Sequence, residues 1–220
     1  MKRIFISRDL TSDDALVSQL VSNGMEVHAQ SLIALEAIPF SLPIPTTDWI
    51  FFSSQHAVQF FFQQNVRLEN QKLAAIGKAT AAVLGKYGAC SFAGASMDTV
   101  QVATAFAKVC GGESILFPQA EYSLKTIQKL LQPTQCVDLI CYKSRERPAK
   151  IAFCDWLVFT SPGNVRAYAM ANHFTNQQFC YALGKATAEA LHQAGGQSVE
   201  LIESLSAGAI MHAINGSKGS

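Results

Sequence analysis

One stretch of this chain occurs twice, and the repetition limits the possible folds more than any other feature. Asp48-Trp49-Ile50-Phe51-Phe52-Ser53-Ser54 returns as Asp155-Trp156-Leu157-Val158-Phe159-Thr160-Ser161, and Ile76-Gly77-Lys78-Ala79-Thr80-Ala81 returns as Leu183-Gly184-Lys185-Ala186-Thr187-Ala188. Both pairs lie 107 residues apart, from 48 to 155 and from 77 to 184. Two separate matches at one spacing argue for duplication, and so long a period implies two related domains rather than a solenoid. Each copy reads as an apolar strand, a tight polar turn and a helix.

The flanking sequence alternates in the same way. Residues 2–7 read as a buried strand, a helix capped by Ser12 or Asp13 runs to about Ser22, Gly24 stops it, and 25–33 form a second strand. Pro39, Pro43 and Pro45 then mark an extended connector. From Asp48 follow strands at 48–52, 73–76, 90–92, 114–117 and 136–142, with helices at about 56–64, 79–87, 98–109 and 123–131. Lys143-Ser144-Arg145-Glu146-Arg147-Pro148 is a charged break and a second connector. Strands at 155–159, 179–183 and 198–202 alternate with helices at 163–172, 186–194 and 206–213, and 215–220 read as a disordered tail.

Strand counting turns this pattern into an architecture. The middle block has five strands, enough for a complete doubly wound α/β domain. The carboxyl-terminal segment has three strands and the amino-terminal segment has two, so together they complete a second. The expected protein is α/β with one discontinuous lobe (1–36 and 149–220), one inserted lobe (40–141), and paired connectors at 33–40 and 140–148. The duplicated turns would then be opposite walls of one cleft.

Composition narrows the partners. The 220 residues are 49% hydrophobic and 15% charged, sufficient for two cores, and a net charge of +1 offers no field for nucleic acid. The first apolar run breaks at Ser7 and Arg8, unlike a signal peptide, and no run approaches a membrane span. A cytoplasmic protein with no nucleic-acid or membrane partner is expected. None of the six cysteines forms CxxC, and the five histidines show no HxH or HxxxH spacing. Buried reduced thiols and no metal site follow.

In open α/β sheets ligands bind beyond the carboxyl ends of strands, where helix amino ends present free N–H groups. Ser161 is a natural N-cap, Pro162 fits the first helical position, and Gly163 keeps the entrance clear. Ser53, Ser54, Gln55 and His56 take those places in the first copy. The Gly-Lys-Ala-Thr turns add Lys78 with Thr80 and Lys185 with Thr187, point charges suited to carboxylate or phosphate. The plainer alternative is that the hydroxyls only cap helices and the lysines are only solvated. No GxGxxG, GxxxxGK[ST] or GxSxG is present, so an enzyme here would work without a cofactor.

The Asp48–Ser54 segment, Phe159-Thr160-Ser161-Pro162 with Asn164-Val165, the segment 182–188 and Tyr142 within Leu139-Ile140-Cys141-Tyr142-Lys143-Ser144 together make the chain resemble the uroporphyrinogen-III synthase family. It departs at Lys185-Ala186, where Pro-Thr or Pro-Gly is common, and at Gln55-His56. The resemblance implies two flavodoxin-like parallel-sheet lobes joined by a two-stranded connector ladder. It also implies a cofactor-free cyclisation of hydroxymethylbilane, a linear tetrapyrrole with eight carboxylates, to uroporphyrinogen III. By resemblance, Tyr142 stands near the leaving hydroxyl, unless it only packs the ladder. Ser161, Gly163, Asn164, Lys185 and Thr187 become candidate substrate-binding residues in the first lobe, and Ser53, Ser54, Lys78 and Thr80 in the second. Arg8 could meet a carboxylate or pair with Asp9. A monomer is expected. The competing expectation is a non-enzymatic two-lobed sensor of a small polyanionic ligand.

Overall fold

In chain order the elements are β1 (Lys2–Ile6), α1 (Ala15–Ser22), β2 (Met25–Ala29), β3 (Ile33–Ala37), β4 (Trp49–Phe52), α2 (Gln55–Phe62), β5 (Lys72–Ala75), α3 (Lys78–Leu84), β6 (Cys90–Ala93), α4 (Thr99–Cys110) and β7 (Ile115–Ala120). A 3₁₀ turn (Gln128–Leu130) precedes β8 (Cys136–Glu146), β9 (Trp156–Phe159), α5 (Pro162–Ala171), β10 (Phe179–Leu183), α6 (Lys185–Gln193), β11 (Ser198–Ile202) and α7 (Ala207–Gly216). This computed structural model describes residues 2–131 and 136–216. Two compact units result: Met1–Ala34 with Arg145–Ser220, and Leu35–Ser144. No helix among the described residues is long and apolar enough to cross a membrane.

The first unit holds a five-stranded sheet ordered β11-β10-β9-β1-β2, and its strand pairs are parallel. The second holds the order β8-β7-β4-β5-β6, also parallel, with β3 added beside β8. Counted from the duplicated strand onward, β9-β10-β11-β1-β2 and β4-β5-β6-β7-β8 trace the same path through space. The first unit is therefore a circular permutation of the second, and β4 and β9 occupy the same central place. The crossovers reverse direction beside each of them, which is where doubly wound sheets bind ligands.

Burial on both faces explains why these strands are continuously apolar. Side chains alternate across a strand, so Trp49 and Phe51 enter one helical layer while Ile50 and Phe52 enter the other. Trp156 with Val158, and Leu157 with Phe159, repeat that division. The aspartates before them lock the strand starts. Asp155 accepts the Arg3 N–H at 2.8 Å, and Asp48 accepts the Ser114 N–H at 2.8 Å and its hydroxyl at 2.6 Å. Those Ser114 donors hold the Asp48 carboxyl below its ordinary range. Both tryptophans lie under an ammonium, Lys2 over Trp156 at 4.9 Å and Lys72 over Trp49 at 5.2 Å. The Asp-Trp repeat is thus a structural device at the amino ends of the two central strands, opposite the polar turns.

Several local expectations change. Asp14 rather than Ser12 or Asp13 caps α1, accepting the Leu16 N–H at 2.8 Å. The expected strand 25–33 is two strands in different sheets, parted where Ser31 N–H turns to the Asp9 carboxylate at 2.8 Å. The expected helix 123–131 is reduced to one 3₁₀ turn, because Lys125 sits at φ +52°, outside the right-handed helical region. The strand expected to end at 142 continues to Glu146, so the second connector, expected to pair with the first, is the end of β8. Along it, Ile38 N–H donates to the Cys141 carbonyl at 2.9 Å and Arg147 N–H to the Leu32 carbonyl at 2.7 Å, so β3 and β8 run antiparallel. Helix α7 includes Asn215 and Gly216, while the rest of the expected tail, 217–220, lies outside the described residues.

Cys110, Cys141, Cys154 and Cys180 are buried, and Cys90 and Cys136 are partly exposed. Burial pushes the Cys141 and Cys180 thiols up to about 12 and Cys154 to about 11. A thiol reagent should therefore modify Cys90 and Cys136 in the folded protein and reach the buried cysteines only on unfolding. Well below pH 9 the Cys141, Cys154 and Cys180 thiols are protonated in folded and unfolded chains alike. Above it the unfolded chain ionises first, so stability should fall as pH rises from 9 towards 12. A urea midpoint unchanged between pH 9 and 11 would contradict this.

Candidate functional site

The turn after β9 in the first unit is tightly wired. Thr160 N–H donates to Ser7 Oγ at 2.9 Å, and Thr160 Oγ1 donates to the Ser7 carbonyl at 2.9 Å. These bonds join the ends of β1 and β9 at the point where the crossovers reverse. Ser161 caps α5 as expected, with Pro162 in the first helical turn. Its Oγ accepts from Asn164 N–H at 3.3 Å and from Asn164 Nδ2 at 3.0 Å, leaving its own proton to donate elsewhere.

Asn164 faces inward. It is buried, its Oδ1 accepts the Leu32 N–H at 2.8 Å, and its Nδ2 also reaches Thr160 Oγ1 at 3.4 Å. Gly163 does not leave an open entrance: a Cβ there would stand 3.0 Å from Ile33 Cδ1, so its missing side chain makes room for packing. Thr187 is likewise buried, its hydroxyl donating to the Leu183 carbonyl at 3.2 Å one helical turn back. Arg8, Gly184 and Lys185 lie at the strand ends, with Arg8 and Lys185 exposed. Among the described residues Arg8 makes no ion pair with Asp9, whose carboxylate takes the Ser31 N–H instead.

The two Gly-Lys turns are alike in sequence but not in backbone. Gly184 has φ +94°, which favours glycine, whereas Gly77 has φ −170°, open to any residue. Neither α3 nor α6 has a side-chain cap, so their first N–H groups remain open to an anion. Lys78 and Lys185 are the first residues of those helices, and Thr80 is buried beneath its own.

The second unit places its hydroxyls differently. Ser53 is exposed, and Ser54 caps α2 by accepting the Ala57 N–H at 3.0 Å. Ser54 Oγ also lies 3.3 Å from Tyr142 Oη, across from β8. A bulge makes that meeting possible. The β7–β8 register runs evenly from Ile115↔Cys136 to Gln119↔Ile140 and then pairs Ala120 with Tyr142. The extra residue, Cys141, is buried, and its thiol turns to the Gln119 carbonyl. Tyr142 thereby falls on the face of Leu139, towards the layer containing Phe52, Ala57 and Phe61. Phe60 stacks on its ring with centroids 5.1 Å apart and planes 13° apart, and His56 lies 6.4 Å away. Neither Ser7 nor Phe60 is among the site residues expected from the sequence. Ser7 has a signal, a hydroxyl at a strand end, whereas Phe60 has none beyond its place in a helix.

The structure thus brings Ser54 and Tyr142 together, and Ser161 with Asn164, and leaves Arg8, Ser53, Lys78 and Lys185 at strand ends. Among the described residues no three His, Cys, Asp or Glu side chains cluster to hold a metal ion. The family model for uroporphyrinogen-III synthase HemD matches residues 14–205. The chain belongs to the uroporphyrinogen-III synthase family. A uroporphyrinogen-III synthetase structure from Helicobacter pylori superposes with a TM-score of 0.68 at 16% identity, over 98% of this chain and 99% of that one. A mutant uroporphyrinogen III synthase from Thermus thermophilus gives a TM-score of 0.53 at 15% identity, over 100% of both chains. At such identities the likeness shows the fold. No curated protein matches the sequence significantly. The synthase fold therefore holds with little shared sequence.

Proposed function

We propose that this chain is a lyase that closes hydroxymethylbilane into uroporphyrinogen III, with loss of water and inversion of ring D. The observation that carries the reading is the family match across residues from both units. On this reading the units are the family's two lobes, and β3 with the end of β8 is the connecting ladder.

The chemistry asks for few strong groups. The substrate ionises to an azafulvene cation once its hydroxyl is helped to leave. Tyr142, half-buried beside Ser54, is the proposed donor to that hydroxyl. The remaining task is to hold a flexible chain so that its terminal carbon meets the substituted position of ring D. Such positioning can supply a large share of rate enhancement without covalent catalysis. Arg8, Ser53, Lys78 and Lys185, the free proton of Ser161 and the uncapped starts of α3 and α6 are donors suited to the substrate's carboxylates. In this reading the protein acts as a monomer in the cytoplasm and needs no cofactor.

The test is product identity. Incubated with hydroxymethylbilane, the purified chain should yield uroporphyrinogen III where the uncatalysed reaction yields isomer I. Isomer I alone, at the spontaneous rate, would overturn the proposal and leave ligand binding without turnover.

A further inference from the structure

In the Ser54–Tyr142 pair, 3.3 Å apart, either hydroxyl can be the donor. Ser54 Oγ already accepts the Ala57 N–H at 3.0 Å, from the first turn of α2. A serine has one proton and a tyrosine has one, and only one of them can lie between the two oxygens. If Tyr142 gave its proton to Ser54, it would have none for a substrate.

We propose that Ser54 is the positioning residue of Tyr142: it accepts from α2, gives its only proton to the phenolic oxygen, and so leaves the Tyr142 O–H free for the departing hydroxyl. The inference rests on the reading of Tyr142 as proton donor. Two further contacts fix the arrangement. The bulge at Cys141 brings Tyr142 onto the α2 side of the sheet, and the near-parallel stack on Phe60 holds the plane of its ring. The 3.3 Å separation is longer than a relaxed O–H···O bond. It has room to shorten as negative charge develops on the phenolic oxygen.

The proton count closes. As the substrate's C–O bond breaks, the electron pair leaves with oxygen, which takes the Tyr142 proton and departs as water. The phenolate is then held by the Ser54 O–H, with Ala57 N–H behind it. The terminal carbon bonds to the substituted position of ring D, the existing bond from that position to the bridging carbon breaks, and the bridging carbon re-bonds at the unsubstituted α-position, which inverts the ring. The proton finally released when the rearranged pyrrole regains aromaticity restores the phenol. No oxidant, reductant or second substrate is consumed.

A double-mutant cycle tests this. Kinetics would be measured for Ser54→Ala, Tyr142→Phe and the double variant, with isomer III as the readout. If Ser54 acts through Tyr142, Ser54→Ala should lower kcat about tenfold with little change in KM, yet cost nothing further in the Tyr142→Phe background. Ser54→Thr, which keeps the hydroxyl, should retain most of the rate. Ser54→Gly keeps a tolerated cap residue while removing the hydroxyl, and serves if Ser54→Ala fails to fold. Multiplying penalties, or a rise in KM alone, would show that Ser54 contacts substrate directly and would overturn the inference while leaving Tyr142 in its role. A wild-type rate for Tyr142→Phe would overturn the donor reading, and this inference with it.

Discussion

Tyr142→Phe is expected to slow isomer III formation by about 10²-fold, towards the lower end of what a positioned proton donor contributes. The loss should appear in kcat rather than KM, because the proton moves only as the C–O bond breaks. Phenylalanine keeps the ring, and with it the stack on Phe60 and the packing on the Phe52–Phe61 layer. The fold should therefore survive, so that a slower rate reports the lost hydroxyl. The effect is modest for a reacting group because much of the work is folding a flexible substrate, which the variant still does. Steady-state assays with separation of isomers I and III check both parts. A wild-type rate would remove Tyr142 from the chemistry.

Asn164→Ala should act on stability, by about 2 kcal/mol, because it strands a buried backbone donor. Asn164 Oδ1 is the partner of Leu32 N–H at 2.8 Å in a buried bond, and Leu32 has no solvent exposure. The same amide donates to Ser161 and Thr160, so the substitution also loosens the turn after β9. Denaturation should begin at lower urea, and exchange of the Leu32 amide proton should accelerate. A substrate contact would behave otherwise, raising KM with stability unchanged. That outcome would restore Asn164 to the binding role that the family resemblance implied.

The contrast between these two residues shows how far the sequence reached. Periodicity and duplication were enough for the parallel α/β class. Asp48 and Asp155 stand before apolar runs of the same length, and each run is buried on both faces as the pattern required. The ends of β4, β9, β10 and β11 and the Ser161-Pro162 cap were legible because they depend on neighbours a few residues away. The helix expected at 123–131 failed for a local reason with no sequence signature, the positive φ of Lys125.

What the chain determined by itself was its inventory: which segments are strands and helices, and which polar residues stand at the turns. Tertiary structure decided which of those residues face outward. Asn164 and Thr187 turn inward because buried carbonyl or amide groups there need partners. Tyr142 meets Ser54, 88 residues away, only because one extra residue in β8 shifts the alternation by a single step. Side-chain direction in a strand has a period of two, so a bulge sends the same sequence to the opposite face. That choice is made by the packing of β8 against β7, which no local pattern records.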